Sequence, residues 1–308
     1  MNKKLFIFLF ICLLVYLLIF PREALQASAR GVDLWFHTVL PTLLPFIILS
    51  GLLVTSGALL PLLQKADKIC RVFPGLSGAG TYALVLGVLC GFPMGARTTA
   101  ALLRENSISQ REARLLLCVS NHVSPAFLAG YVRSLLPDPG WMPLAAGIYY
   151  GAAAAAFFLI RGRSRPGYTP GKKPKKKAST LRSPGELLDA SIMDGCQVIL
   201  KLGGYIILFS VCAEAVRTLS AGLPLLSPVC SMILEISSGT SLLLSAPFPK
   251  PLGMTLLLAG LSFGGLSTAA QTAGMIQGTG LPLSLYLKGK LLQAALAAAF
   301  TLLFFAVV

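Results

Sequence analysis

Apolar residues occur along the chain in runs of about 20, the length that an α-helix needs to cross a bilayer. Such runs occupy residues 34–60, 115–135, 141–160 and 192–216. Another run opens near Ala79 but breaks about half way, at Gly91-Phe92-Pro93-Met94-Gly95. Because a backbone can break inside a bilayer only where protein or water covers its polar groups, this break predicts a buried, interrupted helix.

Basic residues indicate on which side of the membrane each segment ends. Nine of the 26 Lys and Arg residues lie between Arg161 and Arg182, where there is no Asp or Glu. Cytoplasmic loops are enriched in such residues, so this stretch is predicted to be a cytoplasmic linker. Both ends of the interrupted run then also lie inside, which predicts a re-entrant hairpin. The alternative is a kinked span that ends outside.

The composition supports an all-α polytopic membrane protein. Hydrophobic residues make up 55% of the 308 residues and charged residues only 12%, and the mean hydropathy is +0.78. Soluble domains carry about 25% charged residues. The net charge of +15 is concentrated in the linker, so it indicates topology and anionic lipid headgroups rather than nucleic acid. The lipid bilayer is therefore the expected partner.

The chain divides into four predicted units. These are an N-terminal transmembrane anchor and connector (1–30), a first membrane half (31–160), a basic cytoplasmic linker (161–185) and a second membrane half (186–308). LVLGVLCGFPMGARTTAALL in the first half resembles LLLAGLSFGGLSTAAQTAGM in the second. Opposite directions for the two halves predict inverted repeats, each with a re-entrant broken-helix hairpin, as in many secondary transporters. This topology places Lys250, Lys288 and Lys290 outside, which is a mild breach of the charge rule.

The first 20 residues carry two lysines followed by an apolar run, which predicts an uncleaved span with a cytoplasmic N-terminus. Ala27-Ser28-Ala29 resembles a secretory cleavage site, so a cleaved signal is the alternative. The seven cysteines stand singly, and neither His37 nor His122 has neighbouring ligands at metal-binding spacing. We therefore expect no metal, no cofactor and no enzyme activity, since no nucleophile has a base beside it.

Helix breaks present N–H groups with partial positive charge, which suit an anionic or polar ligand. Some of the residues concerned also have structural alternatives: Asn121 could bond neighbouring helices, Lys201 could reach the interface, and Glu235 could cap a helix. Arg97 could bind an anion or mark the cytoplasmic edge. The candidate substrate-binding residues are Gly91, Phe92, Pro93, Gly95, Arg97, Ser120, Asn121, Ser124, Lys201, Tyr205, Glu235, Ser237, Ser238, Phe263, Gly264, Gly265, Ser267 and Gln271.

Several of these stretches carry a family resemblance. LGVLCGFPMGARTTAALL, SNHVSPAF, KLGGYIILFSV and LSFGGLSTAAQ, in that order, resemble the YlbJ-type sporulation integral membrane proteins. These are part of a wider group with the nucleoside-recognition, or Gate, domain. The resemblance covers about residues 30 to 305 and implies two Gate-like halves. It also implies a role in endospore formation, associated with passage of dipicolinate across the outer forespore membrane from the mother cell.

By this resemblance the protein is a multi-pass protein of the mother-cell or outer forespore membrane. Dipicolinate is a flat dianion, so Lys201 or Arg97 could neutralise it while Phe92 and Phe263 stack on its ring. One alternative is a non-transporting scaffold needed for spore cortex or maturation, with a second copy or other sporulation membrane proteins as partners. Another is a nucleoside transporter.

Overall fold

The computed structural model describes residues 3–56, 75–163, 183–220, 223 and 225–307. Within these ranges the secondary structure is helical, without strands. Helix α7 spans residues 125–135, and its middle part, Leu128–Val132, is π-helical. A second π-helical segment, Trp35–Val39, connects α2 to α3. The other helices are α1 (Lys3–Ile19), α2 (Pro21–Leu34), α3 (Leu40–Thr55), α4 (Gly78–Cys90), α5 (Met94–Arg104), α6 (Gln110–Val119), α8 (Met142–Arg163), α9 (Pro184–Leu219), α10 (Leu226–Leu234), α11 (Ile236–Ser245), α12 (Lys250–Phe263), α13 (Gly265–Met275) and α14 (Leu283–Val307).

Several helices are long and apolar enough to cross a membrane. In the described part of the chain they are Pro139–Gly162, Pro184–Leu219, Lys250–Met275 and Leu283–Val307, with a fifth if the bent pair Ile7–Ile19 and Pro21–Val39 counts as one span. The expectation of an all-α polytopic membrane protein is confirmed. Side chains such as Leu18 and Leu303 stay exposed, as expected of surfaces that contact lipid.

The chain folds back at the predicted break between α4 and α5, a unit that we call the first hairpin. Its first arm, α4, has 13 residues, so it is roughly 20 Å long and shorter than the bilayer core of about 30 Å. The two arms pack against each other. A Cβ on Gly87 would lie 2.8 Å from the Cα of Gly95 and 1.7 Å from the Ser120 carbonyl oxygen, so a side chain does not fit at Gly87.

The predicted hairpin of the second half requires a correction. The break at Gly264 leaves α12 and α13 as one candidate span, Lys250–Met275, because the Gly264 N–H still donates to the Gly260 carbonyl (2.9 Å). The fold-back in this half is at Glu235, between α10 and α11, which pack against each other as the second hairpin. A Cβ on Gly239 would overlap the backbone of Met232 in the opposite arm.

Two further expectations can be compared with the structure. The predicted boundary after residue 30 lies inside α2, whose Ala24 and Ala27 are buried in a cluster with Val211 of α9. Residues 164–182 of the predicted linker lie outside the described residues. Lys290, which the predicted topology places outside, has its side chain buried between helices.

Candidate functional site

Several of the predicted breaks meet around one cavity of about 160 Å³, which we call the central cavity. Its walls come from the end of α2 and the π-helical segment after it, the turn of the first hairpin, the starts of α7, α11 and α13, and α9. The predicted residues that line it are Gly91, Phe92, Ser124, Glu235, Ser237, Ser267 and Gln271.

The turn of the first hairpin forms one wall. Gly91 has φ of 85°, a conformation that side chains disfavour, and a Cβ there would lie 3.0 Å from the Ser124 nitrogen. The Phe92 ring reaches Gly264, where a Cβ would lie 2.7 Å from the Phe92 Cζ. The breaks in the two halves are therefore in direct contact through one aromatic ring.

Asn121 fixes the first hairpin from a different segment. Its Oδ1 accepts a hydrogen bond from the Ala96 N–H (2.7 Å), and its Nδ2 donates to the Thr272 Oγ (3.2 Å). Pro93, the N-cap of α5, has no side-chain acceptor, so Asn121 supplies the missing cap. Asn121 is buried without lining the central cavity, which matches its structural alternative.

Glu235 forms the turn of the second hairpin and also lines the central cavity. Its carboxylate accepts hydrogen bonds from the N–H groups of Ser237 (2.9 Å) and Ser238 (2.7 Å), so it caps α11. The Tyr131 hydroxyl donates to the Ser237 carbonyl (2.8 Å) and connects this turn to α7. Capping is thus the alternative that the structure shows for Glu235.

The start of α13 contributes the remaining polar wall. The Gln271 Nε2 donates to the Ser267 Oγ one turn earlier (3.2 Å), and both side chains line the central cavity. Thr268, a lining residue that the sequence analysis missed, bonds to the Gly264 carbonyl (2.9 Å) and the Tyr286 hydroxyl (2.9 Å). These contacts hold the polar face of α13 in place.

The other predicted site residues lie away from the central cavity. Arg97 forms an ion pair with Asp194 of α9, and Lys201 is exposed on α9. The Tyr205 hydroxyl lies against Gly274, and Phe263 lines a separate apolar crevice. The residues that shape the turns or pack beneath them without lining the cavity are Pro93, Gly95, Ser120, Gly264 and Gly265.

A second cavity of about 850 Å³, which we call the side cavity, shares Leu34, Thr38 and Ser237 with the central cavity. Ser238 lines it, as does an ion-pair cluster in which Glu214 binds Arg30 (2.7 Å) and also Arg217. The shared residues make the two cavities neighbours.

Lys290 is the main residue that the sequence analysis missed. Its Nζ donates to the Asn121 carbonyl (2.5 Å) and the Gln293 Oε1 (2.8 Å), and it lies 5.0 Å from the centre of the Phe92 ring. The signal in the sequence is a lysine followed three residues later by Gln293, at the start of an apolar helix. That spacing places both polar side chains on one face.

Comparison with known proteins gives one informative match. No protein-family model matches the chain, and no solved structure matches it significantly. The sporulation integral membrane protein YlbJ of Bacillus subtilis (strain 168) is 28% identical over 336 aligned residues, which cover 98% of this chain and 82% of that protein. This similarity extends over nearly the whole length of the chain and supports a sporulation membrane protein of the YlbJ type.

Proposed function

We propose that this sporulation membrane protein is a carrier for a small anionic solute, with dipicolinate as the expected solute and the outer forespore membrane as its location. The observation that supports this proposal best is the central cavity, because α7, α11 and α13 all begin at its wall. Secondary transporters place their solute sites where interrupted helices meet in this way. The identity of the solute comes from the family resemblance.

The lining of the cavity suits a flat, polar solute. Helix N-termini attract negative charge, and the lining hydroxyl and amide groups of Ser124, Ser267 and Gln271 can donate hydrogen bonds. Phe92 offers an aromatic ring on which a planar ligand can stack. The carboxylate of Glu235 already accepts two backbone N–H groups, so its charge is locally compensated.

The positions of the cations argue against the hypothesis that Lys201 or Arg97 neutralises dipicolinate. Lys201 is exposed, and Arg97 is paired with Asp194, so neither faces the central cavity. The nearest buried cation is Lys290, behind the Phe92 ring. We therefore assign the positive complement of the solute to the helix N-termini together with Lys290.

Uptake of dipicolinate into proteoliposomes tests the proposal. We expect saturable uptake by the wild type, a loss of at least about tenfold in Gln271→Ala, and unchanged uptake in Lys201→Ala at matched protein amounts. Gln271 lines the cavity whereas Lys201 lies on the outside of α9, so this pair separates a site effect from a general one.

Two results would contradict the proposal. Folded wild type that takes up no dipicolinate would favour the non-transporting scaffold, in which the breaks only serve packing. Uptake of uridine that dipicolinate does not compete with would favour a nucleoside carrier. In either case the abundance and folding of each variant are measured in parallel, because the scaffold model predicts effects only in variants that fail to fold.

A further inference from the structure

Lys290 lies on α14 with 1% of its surface exposed, inside the candidate span Leu283–Val307. Its ammonium has two hydrogen-bond acceptors, the Asn121 carbonyl and the Gln293 Oε1, and a third direction that faces the Phe92 ring. Among the residues that the structure describes, no carboxylate forms an ion pair with it. A charged side chain at such a depth is costly and marks a functional position.

One acceptor of Lys290, the Asn121 carbonyl, comes from the break between α6 and α7. Asn121 lies in the non-helical segment 121–124 between α6 and α7, so its carbonyl is free of any helical hydrogen bond. In carriers with interrupted helices, carbonyls freed in this way coordinate the coupling cation. Here a side chain of the protein occupies that position, and the nitrogen of Lys290 takes the place of an inorganic ion.

The surroundings of this position are polar beyond the two acceptors. The Nδ1 of His122, the Nε2 of Gln293 and the Oγ of Ser120 are buried without a hydrogen-bond partner. The His122 Nε2 bonds to the Val119 carbonyl (2.7 Å), and the Tyr149 hydroxyl accepts from the Val123 N–H (2.7 Å). A polar pocket of this kind, enclosed by apolar helices, is an environment built for a charged or strongly polar occupant.

We infer that Lys290 is a tethered cation, which fills a cation site at the α6–α7 break and provides a positive charge behind Phe92. The role of this charge in solute binding rests on the proposed function, because it makes Lys290 the residue that favours an anionic over a neutral solute in the central cavity. It follows that solute binding should need neither sodium nor potassium. Phe92 connects the two sites, since it contacts Lys290 on one side and lines the cavity on the other.

Replacing the Lys290 side chain by a free amine in solution tests the cation site without any solute. Lys290→Ala removes the atoms of n-propylammonium, so this cation should refill the site. We expect the thermal unfolding midpoint of purified Lys290→Ala to lie below that of wild type and to rise saturably, by at least about 3 °C, with n-propylammonium. Tetramethylammonium, which has the same charge but no N–H donor, should not have this effect.

Lys288→Ala is the matched control, because Lys288 is exposed on the same helix. Its unfolding midpoint should equal that of wild type and should not respond to n-propylammonium. An equal response in Lys288→Ala and Lys290→Ala, or no response in a Lys290→Ala protein that has lost stability, would overturn the cation site.

A charge test covers the case in which Lys290→Ala does not fold. Gln293→Glu replaces the neutral acceptor by a carboxylate at the same position. With Lys290 present we expect the unfolding midpoint to rise, and in the Lys290→Met background we expect the same substitution to lower it. A decrease in both backgrounds would show that Lys290 does not act as a cation there.

Binding of dipicolinate separates this inference from the proposed function. We expect Lys290→Met to bind it at least about tenfold more weakly than wild type, with wild-type affinity unchanged when choline replaces sodium and potassium. Absence of binding by wild type contradicts the proposed function and leaves the amine test to decide on the cation site. Full affinity in Lys290→Met, or a requirement for sodium, contradicts the role of Lys290 in solute binding.

Discussion

The two hairpins achieve the same change of chain direction by different chemistry. In the first hairpin Gly91, Phe92 and Pro93 separate the arms, and the cap of α5 comes from Asn121 on another segment. In the second hairpin the single residue Glu235 separates the arms and caps α11 with its own side chain. The second turn is therefore local, whereas the first depends on the segment between α6 and α7.

This difference has a consequence for the central cavity. Asn121 also donates to Thr272 of α13, and its carbonyl accepts from Lys290 of α14. The hydrogen bonds of Asn121 thus join the first hairpin to both of these helices, whereas those of the Glu235 carboxylate stay within the second hairpin. We therefore expect substitutions in the two hairpins to differ in how far their effects extend.

The largest effect is expected where glycine allows an arm of a hairpin to approach another backbone segment closely. A Cβ on Gly95 would overlap the Ser120 backbone, and one on Gly239 would overlap the Met232 backbone, so neither neighbour can move aside by a side-chain rotation. We expect Gly95→Ala and Gly239→Ala each to lower the free energy of unfolding by about 3 kcal/mol or to prevent folding. Unfolding in detergent measures this, and Gly204→Ala, with open space around it, should be neutral.

The second prediction compares the two caps. Asn121→Ala removes two buried hydrogen bonds and leaves the Ala96 N–H unpaired, so we expect a loss of about 2 to 3 kcal/mol. Glu235→Ala should cost about 1 to 2 kcal/mol, the range for the loss of a helix cap. Equal costs, or a larger cost for Glu235→Ala, would contradict the view that the first hairpin depends more on its surroundings.

A third prediction concerns the contact between the halves. Gly264→Ala introduces a side chain at φ of 85° and against the Phe92 ring, so we expect a cost of about 2 kcal/mol. In a Phe92→Leu background the part due to Phe92 should disappear and leave about 1 kcal/mol of backbone strain together with the contact to the Thr268 Oγ1. A double-mutant cycle on unfolding measures the coupling, and additive costs would show that Phe92 does not link the breaks.

The smallest effect is expected at the ion pair between Arg97 and Asp194. It ties α5 to α9, but 58% of the Asp194 side chain is exposed, so solvent screens the pair. We expect a coupling of less than about 1 kcal/mol in a double-mutant cycle, falling with added salt. Dipicolinate uptake by Arg97→Gln should equal that of wild type. A tenfold loss of uptake would show that Arg97 contributes to solute binding.

The sequence predicts the breaks well because each depends on local residues. Gly91, Glu235 and Gly264 all mark real interruptions, although a glycine pair alone does not suffice, since Gly203 and Gly204 lie within the continuous helix α9. Which interruption folds the chain back is a tertiary property. Gly264 keeps a helical hydrogen bond and α13 continues, whereas Glu235 satisfies the start of a new helix by itself.

For the candidate site, too, the sequence identifies residues from their local neighbours but not from their tertiary contacts. Polar residues in or beside breaks, such as Ser124 and Ser267, could be identified from their own neighbours and do line the central cavity. Lys290 could not, because its burial depends on the carbonyl of a residue 169 positions away. The predicted topology places Lys290 outside, but a topology does not indicate whether a side chain is buried.

One contact at the end of the first hairpin constrains how the protein can change shape. The Arg104 guanidinium donates to the carbonyls of Met275 (3.1 Å) and Gln277 (2.9 Å), just where α13 ends. The Asn121 side chain also links the start of α5, at Ala96, to Thr272 of α13, so α5 is fastened near both of its ends to the C-terminal part of α13. In the proposed carrier these two helices would move together, and alternate opening of the central cavity would then require α2 and α9 to move against them.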